Sequence, residues 1–536
     1  MIELSPACLT HLIPPAAALT EVHPTGGAPR HQTTILINGR QVQYEGPCTD
    51  VHAAVPVYDE AGAIRPYLLG SLPNPGSEWA QRALAAAVQS FAGGAGFWPS
   101  LRQAERARYL REFARQLAAR RESIVRWLMW EIGKARLDAE KEFDRTVGYL
   151  EMTLHEAAAL VQGERVATHA DGMRARIRRV PLGVVLCLGP YNYPFNETFA
   201  TLVPALAMGN TAVLKVPKWG ALMYEEIAAA AMEALPAGVL NFVYGEGSVV
   251  VPPLLQSGAV DVLAFIGSSG VGDALKKSHP KSNRLRAIMG MDAKNAAIVL
   301  DDADLDVALR ECVAGTLGFN GQRCTALKIL FVQRRLADDF AGRFAWRVDG
   351  LTMGMPWDDG AHITPLADPA KPAYLAALVD DACSRGAVIV NRRAGGAVAN
   401  LVAPTVLYRV NAHMRAYHEE QFGPVVPIVP FDDLAEPLAY LRNSSFGQQV
   451  SLFGRNSSTL APLIDACVHH VSRVNLNTQC QRAPDRFPFT GRKDSAEGTL
   501  SVFDALRAFS IRAAVVARAD HTGSLLDNPH SAFLAA

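Results

Sequence analysis

Short apolar runs alternate with alanine-rich stretches between residues 183 and 266, and this alternation restricts the fold more than any other feature of the sequence. The apolar runs have the length of buried strands, whereas the alanine-rich stretches have the length of helices. Strands that alternate with helices form βαβ units, which place the strands in a parallel sheet. The predicted strands are 183–188, 211–215, 239–244 and 260–266, and the predicted helices are 198–208 and 224–234.

A second series of alternating strands and helices runs from residue 296 to about 474, so the sequence predicts two α/β regions. The segment 166–179 is interrupted by Asp171 and Gly172 and resembles a hairpin. Residues 505–517 are predicted to form an edge strand that pairs with another element or another subunit. Helical spacing before the first series predicts helices at 79–89, 105–119 and 122 to about 160.

The beginning of the sequence differs from the α/β regions in composition and periodicity. Residues 1 to about 33 are rich in proline, alanine and threonine and have no clear period, which predicts a loose N-terminal extension. Residues 34–39 then predict a short strand that ends in a turn. No basic segment precedes the first apolar stretch, so the start of the sequence does not resemble a signal peptide.

Composition narrows the class of function. The 536 residues carry 52 basic and 52 acidic side chains, and a net charge of zero argues against nucleic acid or an acidic membrane as the main partner. Apolar residues make up 49%, which suits a large globular enzyme. No apolar run approaches the roughly 20 residues that span a bilayer.

The cysteines indicate the compartment. None forms a Cys-x-x-Cys pair and no His/Cys cluster has zinc spacing, so we expect no metal site. Free thiols in a reducing cytoplasm fit this pattern. The eight cysteines lie at positions 8, 48, 187, 312, 324, 383, 467 and 480.

One cysteine lies in a distinctive segment, Asn320-Gly-Gln-Arg-Cys-Thr-Ala326. Asparagine and glycine predict a turn or a helix end there. A thiol reacts as its thiolate, and a neighbouring cation such as Arg323 favours that form at Cys324. Taken alone, Cys324 also fits a small buried hydrophobe, which is the usual state of an intracellular cysteine.

This segment resembles the nucleophile motif of the aldehyde dehydrogenase superfamily, and most of all its NADP-dependent, non-phosphorylating glyceraldehyde-3-phosphate dehydrogenase branch. The resemblance covers residues 34 to about 520. It implies an aldehyde dehydrogenase-like α/β fold with a Rossmann-type nucleotide-binding domain, an α/β catalytic domain, a β oligomerisation arm and a homodimer or homotetramer. The implied ranges are 34–165 and 181–290 for the nucleotide domain, 291–475 for the catalytic domain, and 166–180 with 500–520 for the arm.

A second motif, residues 189–195, follows a predicted strand at the end where open α/β sheets bind ligands. The resemblance implies that the side chain of Asn192 and the backbone N–H of Cys324 hold the aldehyde oxygen. Without Cys324, Asn192 would fit a turn asparagine that bonds its own backbone.

The expected cofactor is NADP, with NAD as the alternative. Lys215 and Lys218 end a predicted strand, where two cations can bind a phosphate. In the resembled family the first lysine lies near the adenosine ribose, and a lysine rather than a glutamate at 218 favours a 2′-phosphate. The alternative interpretation is a pair of solvated lysines. The resemblance also assigns Gly245, Gly267 and Ser268 to the cofactor, and Glu420 to the nicotinamide ribose.

The expected substrate is a phosphorylated aldehyde, because four positions match the phosphate-binding set of the resembled branch. Arginine binds phosphate through two parallel hydrogen bonds, and a tyrosine hydroxyl adds a donor. The four residues are Arg145, Tyr193, Arg323 and Arg482.

One position departs from the family. Gly290 stands where the resembled enzymes carry the glutamate that activates the hydrolytic water. The resemblance implies oxidation of glyceraldehyde 3-phosphate to 3-phosphoglycerate through a cysteine thiohemiacetal and a thioester. Because Gly290 cannot activate water, the route by which the thioester is discharged stays open. The alternatives are a semialdehyde dehydrogenase, an acylating enzyme that uses coenzyme A or phosphate, and a catalytically silent nucleotide-binding protein.

Overall fold

The computed structural model describes residues 7–163, 167–519, 526–528, 530–531 and 533–534. Over these ranges the chain forms two large sheets, each flanked by helices, which confirms the predicted α/β class. Val166, the predicted first residue of the hairpin, and Asp520, the predicted end of the arm, lie outside the described residues.

The first sheet contains all four strands predicted from the alternation of apolar and alanine-rich segments. Its order places Val184–Leu188 between Thr211–Lys215 and Val262–Ile266, so the strand order reverses at this point. In open α/β sheets a ligand crevice forms at such a reversal, outside the carboxyl ends of the strands. The strands in spatial order are Leu240–Val243, Thr211–Lys215, Val184–Leu188, Val262–Ile266, Arg286–Gly290 and Ala496–Glu497.

Five of these strands run parallel, and Ala496–Glu497 pairs antiparallel at the edge, with Gly290 opposite Ala496. The helix Asn196–Ala207 is buried along its whole length. It follows the central strand, and its alanine, leucine and valine side chains pack against the sheet. The helices of this part of the chain are Ser77–Phe91, Phe97–Ser100, Gln103–Ala118, Arg121–Ile132, Arg136–Gly163, Asn196–Ala207, Tyr224–Ala234, Gly247–Gln256 and Ser269–Ser278.

The second sheet confirms the second α/β series. Its strands in order are Val388–Ile389, Thr405–Tyr408, Val425–Phe431, Leu327–Gln333, Asn295–Val299, Gln449–Phe453 and Arg473–Leu476, of which the first pairs antiparallel and the others parallel. The helices of this part are Leu305–Leu317, Arg334–Asp349, Lys371–Ser384, Arg415–His418, Ala435–Asn443 and Ser457–Cys467. Two small antiparallel pairs join Ala397–Val398 to Leu401–Val402 and Phe446–Gly447 to Arg492–Lys493.

The predicted hairpin and the last strand form a third sheet. Met173–Pro181 lies in its middle, between Ala167–Ala170 and Ser510–Arg518. The last strand follows the helix Val502–Ala508 and pairs antiparallel with the hairpin from Ser510 to Arg518. Residues 505–508 are therefore helical, and the predicted edge strand begins five residues later than expected.

The expectation of a loose N-terminal extension is wrong for its described part. Leu9, Ile13 and Leu19 are buried, and the indole of Trp130 donates a hydrogen bond of 2.9 Å to the carbonyl of Val22. These apolar side chains lack a helical or strand period because the segment consists of short turns. Its elements are a helix Ala7–Thr10, a 3-10 turn Ala16–Leu19 and a strand Arg30–His31.

A hairpin and a longer antiparallel pair follow. The predicted strand Thr34–Ile37 turns through Asn38 and Gly39 into Arg40–Gln43, and Cys48–Tyr58 pairs with Ile64–Pro73. No helix in the described ranges has the length and apolar character needed to cross a membrane.

Candidate active site

The nucleophile segment is a strained turn, as its asparagine and glycine predicted. The helix Leu305–Leu317 ends there, and Phe319 and Asn320 adopt left-handed backbone angles, with φ of 49° and 56°. The amide of Asn320 holds this conformation through bonds of 3.0, 3.1 and 3.0 Å with Thr364. Non-glycine residues persist in this region only where their surroundings fix them, which is typical of functional turns.

Cys324 leaves this turn partly exposed, immediately before the strand Leu327–Gln333. Its carbonyl oxygen accepts hydrogen bonds from Asn295 Nδ2 at 2.9 Å and from Lys328 Nζ at 3.0 Å. Two hydrogen bonds to one carbonyl oxygen therefore fix the backbone at Cys324.

Asn192 lies beside the nucleophile segment. Its Nδ2 donates a hydrogen bond of 2.7 Å to the carbonyl of Gln322, two residues before Cys324. The loop that carries Asn192 follows the central strand Val184–Leu188, as predicted. Asn192 is thus held against the nucleophile segment, and its oxyanion role stays a prediction.

A buried ion pair supports both segments. Lys134 and Glu142 have fully buried side chains in contact with each other. Lys134 Nζ also donates to the carbonyl of Asn192 at 2.8 Å and lies 3.6 Å from the ring centroid of Tyr193 and 4.4 Å from that of Phe319. One ammonium therefore touches the asparagine loop and the nucleophile turn at once.

The expected effect of Arg323 on the thiol is wrong. Burial first, and then the charge of Glu197, raises the pKa of Cys324 to about 11, with Lys328 and Arg482 acting in the opposite direction. The guanidinium of Arg323 points back to the preceding helix and donates to the carbonyls of Ala314 at 2.9 Å and Gly315 at 2.8 Å. Adjacency in sequence did not bring this cation to the sulfur.

Two of the predicted phosphate ligands share one carboxylate. Arg145 donates two hydrogen bonds to Asp485, of 3.0 and 2.6 Å, and Arg482 Nε lies 3.6 Å from the same carboxylate. Arg482 is 5% exposed and also forms an ion pair with Glu197. The guanidiniums of Arg145 and Arg482 are therefore held by carboxylates.

The fourth predicted substrate residue, Tyr193, is buried, and charged side chains act on its hydroxyl. Burial raises the pKa of its hydroxyl, whereas the nearby charges of Arg323 and Arg145 act to lower it. The ring of Tyr193 lies edge-on to that of Phe319 in the nucleophile turn, with centroids 5.9 Å apart.

The predicted phosphate lysines line a cavity of about 540 Å³. Lys215, Lys218 and Gly245 line it together with residues of the antiparallel pair Cys48–Tyr58 and Ile64–Pro73. Burial lowers the pKa of Lys215 to about 8. Among the described residues no carboxylate forms an ion pair with either lysine, although Glu246 lines the same cavity and its charge acts to raise the pKa of Lys215.

Two of the other cofactor assignments, Gly267 and Ser268, follow the strand Val262–Ile266 of the first sheet. Gly267 donates its N–H to the carbonyl of Gly290 at 3.1 Å, and Ser268 precedes the helix Ser269–Ser278. Neither lines the cavity of the two lysines. Glu420 forms an ion pair with Lys328 and accepts the N–H of Ala293 at 3.3 Å.

Gly290 ends its strand, and no positive φ requires a glycine there. A Cβ at this position would lie 3.6 Å from Ile266 and 3.7 Å from Leu500, which is ordinary contact. Apolar side chains therefore border the position that a side chain at residue 290 would occupy.

The sequence interpretation did not find five charged residues of this site. Glu197 had a signal, because it is the acidic residue in an otherwise mainly apolar helix, Asn196–Ala207. Asp485 follows Arg482 by three residues but has no pattern of its own. The five are Lys134, Glu142, Glu197, Lys328 and Asp485. Among the described residues, no group of three His, Cys, Asp or Glu side chains is arranged to hold a metal ion.

Comparison with known proteins agrees with this geometry. The aldehyde dehydrogenase family matches residues 62–515. The NADP-dependent glyceraldehyde-3-phosphate dehydrogenase of Streptococcus equinus is 35% identical over 420 residues, which cover 77% of this chain and 86% of the relative. A malonate-semialdehyde dehydrogenase of Listeria innocua is 29% identical over 407 residues, covering 75% of this chain and 82% of the relative.

A solved structure gives the same result. The NADP-dependent glyceraldehyde-3-phosphate dehydrogenase of Bacillus halodurans C-125, complexed with NADP, superimposes with a TM-score of 0.81 at 31% identity. The superposition covers 91% of this chain and all of that one. The fold and these matches define the class as an NADP-dependent aldehyde oxidoreductase. The chain belongs to the aldehyde dehydrogenase family.

Proposed function

We propose that this protein is an NADP-dependent dehydrogenase that oxidises glyceraldehyde 3-phosphate to 3-phosphoglycerate. The observation that supports the proposal is that Arg145 and Arg482 share the carboxylate of Asp485, while Tyr193 lies against the turn that carries Cys324. Remote contacts to a phosphate orient the carbonyl for attack, so they contribute to turnover as well as to affinity.

The chemistry follows from the placement of the side chains. The sulfur of Cys324 bonds to the carbonyl carbon, and Asn192 with the N–H of Cys324 stabilises the oxyanion of the thiohemiacetal. A nicotinamide bound beside Cys324 would supply the hydride acceptor. A thioester on Cys324 remains and is hydrolysed to the acid.

NADP fits the cavity of Lys215 and Lys218. Two lysines without carboxylate partners among the described residues favour a phosphate, and Lys218 Nζ is positioned 4.8 Å from the ring centroid of Trp219. The complex of the Bacillus halodurans relative with NADP supports the same cofactor.

A second candidate substrate is a semialdehyde with a terminal carboxylate. Asp485 and Glu197 already balance two of the three arginines, which leaves less positive charge than a phosphate dianion favours. A single carboxylate matches that balance, and a malonate-semialdehyde dehydrogenase is among the relatives.

The deciding experiment compares kcat/KM for glyceraldehyde 3-phosphate, unphosphorylated glyceraldehyde and malonate semialdehyde, with NADP and with NAD. We expect the phosphorylated aldehyde to be preferred. Products are identified by mass spectrometry with and without coenzyme A and phosphate. Free 3-phosphoglycerate in plain buffer supports the proposal, whereas an acyl thioester or acyl phosphate formed only with the added acceptor contradicts it.

We also propose a homo-oligomer that uses the last strand. Ser510–Arg518 is an edge strand, and Ile511, Val515 and Val516 are exposed along it. An exposed apolar edge favours pairing with another chain. Light scattering after size-exclusion chromatography tests this, and a monomer at micromolar concentration contradicts it.

A further inference from the structure

Glu131 is a fully buried carboxylate that no step of the proposed chemistry uses. It lies in the last turn of the helix Arg121–Ile132 and is 0% exposed. Its Oε1 accepts the N–H of Ala221 at 2.7 Å, and its Oε2 accepts the N–H of Leu222 at 2.9 Å. No cation among the described residues forms an ion pair with Glu131, so backbone N–H groups are what stabilises its charge.

These N–H groups belong to the loop that follows the strand Thr211–Lys215. The N–H of Val216 donates to the carbonyl of Val243 at 2.9 Å and ties the start of the loop to the sheet. Beyond it, residues 217–220 make no hydrogen bond to any described residue apart from Glu131. The stretch 217–220 is therefore held at its start by the sheet and at its end by Glu131.

This stretch carries Lys218 and Trp219, which both line the cavity of about 540 Å³. Lys218 is exposed and forms no ion pair or hydrogen bond with a described residue, and its Nζ lies 4.8 Å from the ring centroid of Trp219. That ring packs edge-on against Tyr191, with centroids 5.0 Å apart. Because no carboxylate or hydrogen bond holds the ammonium, its position in the cavity follows the path of the loop backbone.

A second buried carboxylate shows the same arrangement one strand away. Oε1 of Glu142 accepts the N–H groups of Phe195 at 3.0 Å and Asn196 at 3.1 Å, in the loop after the central strand. The hydroxyl of Tyr224, at the end of the neighbouring loop, donates to the carbonyl of Pro194 at 2.6 Å and joins the two loops. Glutamates of two consecutive helices thus fix both loops at the carboxyl edge of the sheet, where open α/β sheets bind ligands.

We propose that Glu131 is a positioning residue that sets the preference for NADP over NAD by holding Lys218 at the 2′-phosphate. The inference rests on the proposed function, because it takes Lys218 as the residue that meets this phosphate. Glu131 does not line the cavity and acts through the backbone of Ala221 and Leu222. This anchoring keeps the ammonium where a 2′-phosphate gains a charge-assisted hydrogen bond. NAD has no 2′-phosphate, so its binding does not depend on the placement of Lys218.

Glu131→Gln in the full-length enzyme tests this role. Glutamine keeps the size of the side chain but offers one oxygen to two N–H groups, and its own amide N–H faces the second donor. We expect KM for NADP to rise, kcat to stay within about twofold, and the ratio of kcat/KM for NADP to that for NAD to fall roughly three- to tenfold. Steady-state kinetics with both coenzymes measures the ratio.

Asp261→Asn is the matched control. Oδ2 of Asp261 also accepts a backbone N–H, that of Val184 at 2.8 Å, but at the opposite end of the same sheet. This variant changes a carboxylate that holds the backbone without changing the loop of Lys218, so the ratio should equal that of the unchanged enzyme. Thermal unfolding of both variants shows whether they lose similar stability.

Lys218→Ala and the double variant Glu131→Gln with Lys218→Ala decide whether Glu131 acts through the lysine. Lys218→Ala alone should lower the ratio roughly 10- to 100-fold. The double variant should then have the same ratio as Lys218→Ala, because the residue that Glu131 positions is gone. The proposal is overturned if Glu131→Gln lowers the ratio by the same factor with and without Lys218. Equal losses for NADP and NAD in the single variant also overturn it, since they indicate a structural role.

Gly220→Ala tests the loop without changing Glu131. A Cβ at Gly220 would lie 2.5 Å from Cγ of Pro194, so alanine must shift the end of the loop that Glu131 holds. We expect the ratio to fall, as in Glu131→Gln. An unchanged ratio would contradict the proposal even if Glu131→Gln yielded no folded enzyme.

The same measurements separate this inference from the proposed function. They are run with whichever aldehyde has the highest kcat/KM, so a preference for another aldehyde overturns only the substrate assignment. A preference of the unchanged enzyme for NAD, or a Lys218→Ala variant with an unchanged ratio, overturns the proposed phosphate site and this inference with it. A normal preference for NADP that depends on Lys218 but not on Glu131 overturns only the role of Glu131.

Discussion

Arg145 and Asp485 are joined by two hydrogen bonds, Nε to Oδ2 at 3.0 Å and Nη2 to Oδ1 at 2.6 Å, although 340 residues separate them in the chain. The carboxylate of Asp485 is also 3.6 Å from Nε of Arg482. Burial raises the pKa of Asp485, but the hydrogen bond and charge of Arg145 outweigh this and hold it below its usual value. Asp485 therefore stays ionised and orients two arginines toward one another.

The first prediction concerns substrate choice. Arg145→Ala should lower kcat/KM for glyceraldehyde 3-phosphate roughly 10- to 100-fold, the scale of charged hydrogen bonds, and should affect unphosphorylated glyceraldehyde much less. Steady-state kinetics with both aldehydes measures the ratio. Arg126→Ala, a change in a surface ion pair, is the control. Equal losses for both aldehydes would indicate that Arg145 acts only on the fold.

The second prediction concerns the nucleophile. Cys324→Ser should abolish oxidation while leaving NADP binding nearly unchanged, because a hydroxyl is far less ionised than a thiol at neutral pH. Turnover assays and calorimetric titration with NADP measure the two properties. Cys383→Ser, which removes an exposed cysteine, should keep full activity. Near-normal turnover of Cys324→Ser would refute its assignment as the nucleophile.

The third prediction concerns the cofactor. Lys218→Glu should weaken NADP binding by about 1–3 kcal/mol, since it places a negative charge where the 2′-phosphate is proposed to bind. NAD lacks this phosphate and should lose little affinity. Dissociation constants from fluorescence titration give the ratio, with the surface change Lys141→Glu as the control. An unchanged ratio of NADP to NAD affinity would show that Lys218 does not contact the phosphate.

The fourth prediction concerns the pH dependence of the thiol. With a pKa of about 11, the thiolate fraction of Cys324 in the nucleotide-free enzyme rises about tenfold per pH unit between pH 7 and 10. Alkylation by iodoacetamide, followed on the Cys324 peptide by mass spectrometry, should rise in the same way. A rate that is flat over this range would mean that the thiol is already ionised.

Two variants of the ion pair between Glu197 and Arg482 should move the pKa of Cys324 in opposite directions. Glu197→Gln removes a negative charge and should lower the pKa of Cys324, so alkylation at pH 8 becomes faster. Arg482→Ala removes a positive charge and should raise that pKa, so alkylation becomes slower. A shift in the same direction for both would show that packing rather than charge controls the thiol.

The fifth prediction concerns stability. Lys134→Met leaves Glu142 charged and buried without its partner, which should lower the free energy of unfolding by about 3–5 kcal/mol. The double variant Lys134→Met with Glu142→Leu removes both charges and should be more stable than the single variant. Denaturant unfolding measures the unchanged protein, the single variants Lys134→Met and Glu142→Leu, and the double variant. A double variant that loses as much as the two single variants together would show that the two charges are independent.

The sequence predicted the first sheet well, because strands such as 184–188 are short, apolar and fully buried and therefore leave a clear pattern. It also predicted the turn before Cys324, since asparagine and glycine favour the left-handed backbone found there. The N-terminal segment was misjudged, because Leu9, Ile13 and Leu19 are buried by turns that have no period.

The charges of the site were harder to predict. Asp485 and Arg145 meet only through tertiary folding, so no local pattern reports their contact. Arg323 is adjacent to Cys324 in sequence, but its side chain caps the preceding helix. Burial first, and then the charge of Glu197, which is more than a hundred residues away in the chain, raises the pKa of the Cys324 thiol. Neither effect could be derived from the sequence neighbours of Cys324.

The strand Cys48–Tyr58 lines the cavity of Lys215 and Lys218, which has a practical consequence for the design of truncated variants. The family match begins at residue 62, in the tight connection between that strand and Ile64–Pro73. Cutting there would follow the boundary suggested by comparison, yet it would remove half of the antiparallel pair and open one side of the cavity of Lys215 and Lys218 to bulk water. A shortened version that still binds nucleotide must therefore keep the residues ahead of the matched region.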